Sequence, residues 1–146
     1  MTRRMVLSLV VHGLLLAILG MVLGFPLQGA IVGAESERAQ LAWRSSHTTL
    51  VTGGTFYLAV AAVGPQLVLG RRAARVGTAA FVLASYCFAA VLGLGPALGA
   101  RGLDSSGPPS HVAIHVGFLA AIGLLFVGCA VILWGACTAL FARSAP

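Results

Sequence analysis

Four long apolar stretches, separated by short polar ones, dominate the pattern of hydrophobic and polar positions along the chain. They lie at about residues 5–27, 46–69, 76–98 and 110–141. Each is long enough to cross a bilayer as a helix, for which about 20 apolar residues suffice. Phe25 and Pro26 mark the expected end of the first helix, and Gly64 and Pro65 are expected to bend or end the second. The pattern predicts an all-α integral membrane protein, in which residues 1–146 form a single domain of four transmembrane helices.

Composition and charge support a membrane protein and exclude other classes. Of the 146 residues 59% are hydrophobic and 8% are charged, which is too apolar for a soluble domain of this size. The net charge is +6, but the arginines lie at the ends of the apolar stretches and form no stripe. We therefore interpret them as topology signals and contacts to lipid headgroups, and we expect no nucleic-acid partner.

The distribution of arginines predicts the orientation. Six of them lie at the N-terminus, between the second and third stretches, and at the C-terminus. Arg38, Arg44 and Arg101 lie on the other side, together with all three acidic residues. By the positive-inside rule, both termini face the cytoplasm of a bacterial-type cytoplasmic membrane. Trp43 then lies at the opposite interface, a usual place for an aromatic anchor.

The candidate chemistry is concentrated where the second stretch begins. His47 lies there, and Gly54 follows seven residues later, which on a helix is a rotation of only about 20° from His47. A planar ligand held by His47 could lie over the gap left by this glycine; alternatively, Gly54 serves helix packing. His12, inside the first stretch, either bonds a neighbouring helix or acts as a second ligand beside His47. Gly20 and Gly24 form a small-xxx-small pair, which permits close helix approach or assembly of an oligomer.

The remaining histidines and the cysteines give weaker indications. His111 and His115 are four residues apart and share one helix face, as a metal site requires, but further ligands are lacking. We interpret them as polar interfacial residues, with a proton or metal role as the alternative. The three cysteines form no CxxC pair and are interpreted as small buried apolar residues.

Several short motifs together carry a resemblance to a known family. They are His12–Leu15, Trp43 three residues before His47, Gly54, Pro65, Ala74–Arg75, Leu83 with Tyr86, and Arg101–Leu103. With these motifs in step, the chain resembles the styrene oxide isomerase family, small four-helix membrane enzymes that bind haem b.

The resemblance implies a cofactor and a reaction. His47 is expected to be the axial ligand of haem iron, and His12, Trp43 and Gly54 are expected to help bind haem b at the subunit contacts of a homotrimer. Ferric iron then acts as a Lewis acid on a lipophilic epoxide, whose ring opens and rearranges by a 1,2-shift to a carbonyl compound. A related cationic rearrangement is also compatible with the resemblance.

Two departures from the family pattern concern the substrate. The family's asparagine six residues after the ligand histidine is Gly53 here, and a substrate-site tyrosine falls at Leu94. A different or bulkier epoxide could fill that space. The hydroxyl groups that could substitute belong to Thr52, Thr55, Tyr57 and Tyr86. The alternative functions are a haem-binding electron-transfer or sensor protein, and a structural or small-transport membrane protein without a cofactor.

Overall fold

The computed structural model describes residues 1–100, 102–103 and 105–142. This part of the chain is helical and contains no strand. Its helices are α1 (Arg3–Val22), α2 (Gly24–Val32), α3 (Glu37–Val63), α4 (Arg71–Leu94) and α5 (Pro109–Ala142), with single turns of 3-10 helix at Gly64–Gln66 and Pro96–Leu98. The predicted all-α class is confirmed.

The first apolar stretch continues beyond the proline that was expected to end it. α1 ends at Val22 and α2 begins at Gly24, with only Leu23 between them. Pro26 is accommodated because it lies in the first turn of α2, where backbone N–H groups have no partner within the helix. The expected end at Phe25 and Pro26 is therefore wrong, and Arg3–Val32 together form one apolar segment of 30 residues.

The second long helix begins well before residue 46, where the apolar pattern had placed its start. Ser36 is the N-cap of α3, and its side chain accepts a hydrogen bond from the backbone N–H of Ala39. Trp43 therefore lies inside the helix. At the other end, α3 stops at Val63 before Pro65, as expected. The polar residues that this early start adds make α3 more hydrophilic than the other long helices.

Among the described residues, three helical segments are long and apolar enough to cross a membrane. They are Arg3–Val32, Arg71–Leu98 and Pro109–Ala142. α3 is not among them, so the second predicted span, at about residues 46–69, stays a prediction. α4 begins at Arg71. The three arginines between the second and third apolar stretches, Arg71, Arg72 and Arg75, therefore belong to the first turns of this helix and not to a connecting loop. Arg101, Asp104 and Arg143 fall outside the described residues.

The helices pack in two close pairs, α1 with α3 and α4 with α5, and α1 also contacts α4. The α1–α3 crossing depends on glycine, since a Cβ at Gly54 would lie 2.5 Å from the carbonyl oxygen of Gly13 and 2.7 Å from the backbone nitrogen of Ala17. Close contact of backbones through such small residues is typical of helix pairs in membranes.

Two aromatic residues join the pairs in the core. Tyr57 of α3 and Phe81 of α4 are fully buried, and the Tyr57 hydroxyl donates a hydrogen bond of 2.6 Å to the Phe81 carbonyl oxygen. The Phe81 ring in turn lies over Gly128 of α5, where a Cβ would come within 2.9 Å of it. These contacts fix the positions of α3, α4 and α5 relative to one another.

Candidate functional site

His47 is held in one tautomer by a bond to another helix. Its Nδ1 lies 2.7 Å from the carbonyl oxygen of Gly20 in α1. A carbonyl oxygen only accepts, so Nδ1 carries the proton and donates, and Nε2 keeps its lone pair. Histidines that bind metals are commonly oriented by such a bond from the other ring nitrogen to a backbone carbonyl.

Gly20 and Gly24 form the surface against which this imidazole lies. A Cβ at Gly20 would be 2.7 Å from the backbone nitrogen of Val51, so the glycine allows α1 and α3 to approach closely. A Cβ at Gly24 would be 3.4 Å from Nδ1 of His47. The small-xxx-small pair was expected to serve helix approach or assembly of an oligomer. It also positions the candidate ligand, which sequence reasoning missed.

Gly54 does not leave the flat gap that was expected beneath His47. The backbone of α1 at Gly13 and Ala17 fills that space, and the residue is buried. The expectation that a planar ligand lies over Gly54 is therefore wrong, and the alternative of helix packing describes it. Trp43 lies one turn before His47 in α3 and is half-buried against the core.

His12 lies apart from His47 and has its own partners. Its Nδ1 is 2.7 Å from the carbonyl oxygen of Ser8, and its Nε2 is 3.3 Å from the hydroxyl of Tyr86, whose ring meets it edge to face. Gly20, which binds His47, is eight residues further along α1, or about 12 Å along the axis. Within one chain the structure brings His12 together with Tyr86, and neither with His47.

An apolar cavity of about 380 Å³, called here the inner cavity, lies on another face of α3. Its lining residues are Leu16, Thr49, Leu50, Thr52, Gly53, Phe56, Tyr57, Phe88 and Leu125. A Cβ at Gly53 would meet nothing within 4 Å, so the departure from the family's asparagine leaves open space. Leu94 is 58% exposed and is not part of this lining.

The hydroxyl groups considered as substitutes divide between the cavity and other places. Thr52 and Tyr57 line the inner cavity, but both donate to backbone carbonyls, of Thr48 and Phe81 respectively. Thr55 donates to the carbonyl oxygen of Val51 at 3.1 Å and is not part of the lining.

Thr49 was missed by sequence reasoning although it lines two cavities, the inner one and a narrower one beside it. Its spacing could have revealed it. It follows Ser45 by four residues and precedes Thr52 by three, so the three hydroxyl groups share one face of α3.

His111 and His115 form hydrogen bonds with backbone carbonyl groups of the segment that precedes α5. His111 Nε2 donates to the carbonyl oxygen of Leu98 at 3.0 Å, and His115 Nδ1 donates to that of Gly102 at 2.8 Å. Throughout the described ranges, no group of three or more His, Cys, Asp or Glu side chains comes together. The interpretation as polar residues that bond their surroundings agrees with these contacts.

Comparison with known proteins gives the family. The family model for styrene oxide isomerase matches residues 5–137. The chain belongs to the styrene oxide isomerase family. Comparisons with curated proteins and with solved structures gave no significant match. Family membership indicates an enzyme of the epoxide isomerase type, and the three apolar helical segments are compatible with insertion in a membrane.

Proposed function

We propose that this protein is a membrane isomerase that binds haem b through His47 and converts a lipophilic epoxide to a carbonyl compound by a 1,2-shift. The observation that carries the proposal is the bond from His47 Nδ1 to the Gly20 carbonyl oxygen, which leaves Nε2 as the free nitrogen. This is the donor atom that an axial histidine ligand of haem requires. Ferric haem, when bound, supplies a Lewis acid for the epoxide oxygen.

The surroundings of His47 suit a ligand that must hold its position. The Gly20 carbonyl oxygen accepts a hydrogen bond from Nδ1 and thereby fixes the orientation of the ring. Gly24 lies beside the Nδ1 edge of the ring, where an added Cβ would be 3.4 Å from Nδ1. Trp43, one turn before His47 on α3, adds an apolar side chain to the same part of the helix.

The inner cavity suits the substrate of such a reaction. Its walls are mainly aliphatic and aromatic, so they exclude water, which would trap an opened epoxide as a diol. The open space beside Gly53 favours a bulkier epoxide than would fit beside an asparagine at this position.

Assembly of several copies is part of the proposal. His47 is not among the residues that line the inner cavity. In the proposed homotrimer the cofactor lies at the subunit contacts, where a second copy of the chain brings it to the cavity.

An absorption spectrum of the purified full-length protein tests the cofactor. We expect a Soret band in the wild type, and loss of most of it in His47→Ala. His115→Ala is the matched control, because His115 is also half-buried on a helix and donates from Nδ1 to a backbone carbonyl. Absence of the band in the wild type, or its retention in His47→Ala, overturns the assignment.

Incubation of the haem-loaded protein with lipophilic epoxides tests the reaction. We expect aldehyde or ketone, and formation of diol alone contradicts an isomerase. The spin state of the iron adds a second criterion, because an open coordination position gives a high-spin spectrum. A low-spin spectrum with two histidine ligands and no turnover would instead support an electron-transfer or sensor protein.

A further inference from the structure

Along one face of α3, the side chains change from charged to polar to aromatic. The residues on this face follow one another by three or four positions: Arg38, Ala42, Ser45, Thr49, Thr52 and Phe56. Arg38 and Phe56 are 18 residues apart, about five full turns, so they point in the same direction. A cation comes first, hydroxyl groups follow, and an aromatic ring ends the series.

Three cavities lie along this face in the same order. An outer cavity of about 390 Å³ is lined by Arg38 and His111, and a middle cavity of only about 60 Å³ includes Ser45 and Thr49. Leu103 borders both of these, and Thr49 borders both the middle and the inner cavity. The three cavities therefore adjoin one another.

α5 borders the same series from the opposite side. His111 lines the outer cavity, Phe118 the middle one and Leu125 the inner one, in order along the helix. Both helices meet the cavities in the same sequence, and α4 lines the middle cavity with Val91 and Leu92 and the inner one with Phe88. The three cavities together form one slot bordered by α3, α4 and α5.

We propose that this slot binds a single-chain amphiphile with an anionic head, and that such a molecule, carrying the epoxide on its apolar chain, is the substrate. The inference rests on the proposed function and adds the class of substrate. Arg38 would contact the head, and none of the described residues that line the outer cavity is acidic. His111 lines the same cavity, but its Nε2 already donates to the Leu98 carbonyl oxygen. A guanidinium binds a carboxylate or phosphate through charge-assisted hydrogen bonds.

The dimensions of the slot select the shape of the ligand. Gly53 follows Arg38 by 15 residues, so the two ends of the slot are separated by about 22 Å along α3. A molecule that binds at both ends must therefore be long. The middle cavity, at about 60 Å³, is much smaller than the outer and inner ones, which favours a single-chain, fatty-acid-like molecule over a two-chain phospholipid. The open space at Gly53 receives the apolar end.

Binding to the full-length protein in a non-ionic detergent tests the slot directly. The probe is a polyene fatty acid whose fluorescence rises in apolar surroundings, compared with its matched alcohol after subtraction of empty micelles. Arg38→Gln should weaken binding of the acid about tenfold and leave the alcohol unchanged, as expected for loss of one charge-assisted bond. Gly53→Phe should weaken both probes. Arg72→Gln, which removes an exposed arginine at the other end of the bundle, should change neither.

Three outcomes would overturn the proposal. They are equal binding of acid and alcohol to the wild type, equal loss in Arg38→Gln and Arg72→Gln, and competition by a two-chain anionic phospholipid as strong as that by the fatty acid. Binding is measured without haem or turnover. A slot that binds the acid in a protein without a Soret band would therefore refute the proposed function alone, and a haem protein with no such binding would refute the slot alone.

Discussion

His47 of α3 and Gly20 of α1 are joined by a hydrogen bond of 2.7 Å from an imidazole nitrogen to a backbone carbonyl oxygen. Because the acceptor belongs to the backbone, no side-chain substitution at residue 20 can remove it directly. A larger side chain would act instead by moving α1 away from α3. The bond thereby couples the geometry of the candidate ligand to the packing of two helices.

Gly20→Ala should weaken both that packing and haem retention. The added Cβ would lie 2.7 Å from the backbone nitrogen of Val51, which cannot move without displacing α3. We expect a loss of about 1–3 kcal/mol in unfolding free energy, as for other overpacked contacts. Thermal unfolding and the Soret absorbance per protein measure the two effects. Gly123→Ala is the control, since a Cβ there meets nothing within 4 Å. An unchanged Soret band with unchanged stability in Gly20→Ala would contradict this role.

His12→Phe should leave haem content near that of the wild type. The two ring nitrogens of His12 bond Ser8 and Tyr86, at a level of α1 distant from His47. We expect a modest loss of stability, about 0.5–1.5 kcal/mol for each of the two hydrogen bonds removed. Tyr86→Phe removes only one of them and should have the smaller effect. Loss of the Soret band in His12→Phe alone would instead make His12 a haem ligand.

Gly53→Asn should shift activity towards styrene oxide. The substitution returns the amide that the family has at this position, and the space there is open. One added hydrogen bond to the substrate would raise kcat/KM for styrene oxide about tenfold. Gly53→Leu is the matched control, because it fills a similar volume without an amide. The carbonyl product is quantified for each variant, and equal changes in both would show that only volume matters.

Tyr57→Phe should destabilise the fold without removing the cofactor. It deletes the buried bond of 2.6 Å to the Phe81 carbonyl oxygen while keeping the ring. The expected loss is about 1 kcal/mol in thermal unfolding. A Tyr57→Phe protein as stable as the wild type would show that this link between α3 and α4 contributes little.

The apolar pattern predicted the helical class and the extent of α5 closely, but it misplaced boundaries set by local capping. α3 begins at Glu37 because the side chain of Ser36 caps it, whereas the hydropathy of the following residues gives no sign of a helix. Pro26 was expected to end a helix, and it instead lies in the first turn of the next one. The apolar pattern of a sequence identifies the residues that enter lipid more reliably than it identifies the residues that are helical.

At the site, His47 could be selected from the sequence, but its partner could not. Gly20 is 27 residues away, and the contact depends on how α1 and α3 cross. For Gly54, sequence reasoning gives the correct helix face but the wrong surroundings. A helical wheel correctly puts it on the face of His47, yet it cannot tell that the backbone of Gly13 already covers that face.

The polarity of α3 has a consequence for how the protein is made. Insertion machinery sorts helices into the bilayer mainly by hydropathy, and α3 is not among the segments apolar enough to cross on that ground. Its closest packing partner, α1, precedes it in the chain and belongs to a strongly apolar segment. We therefore expect α3 to enter the membrane only as a hairpin with the segment before it, so that a nascent chain lacking α1 would leave α3 in water.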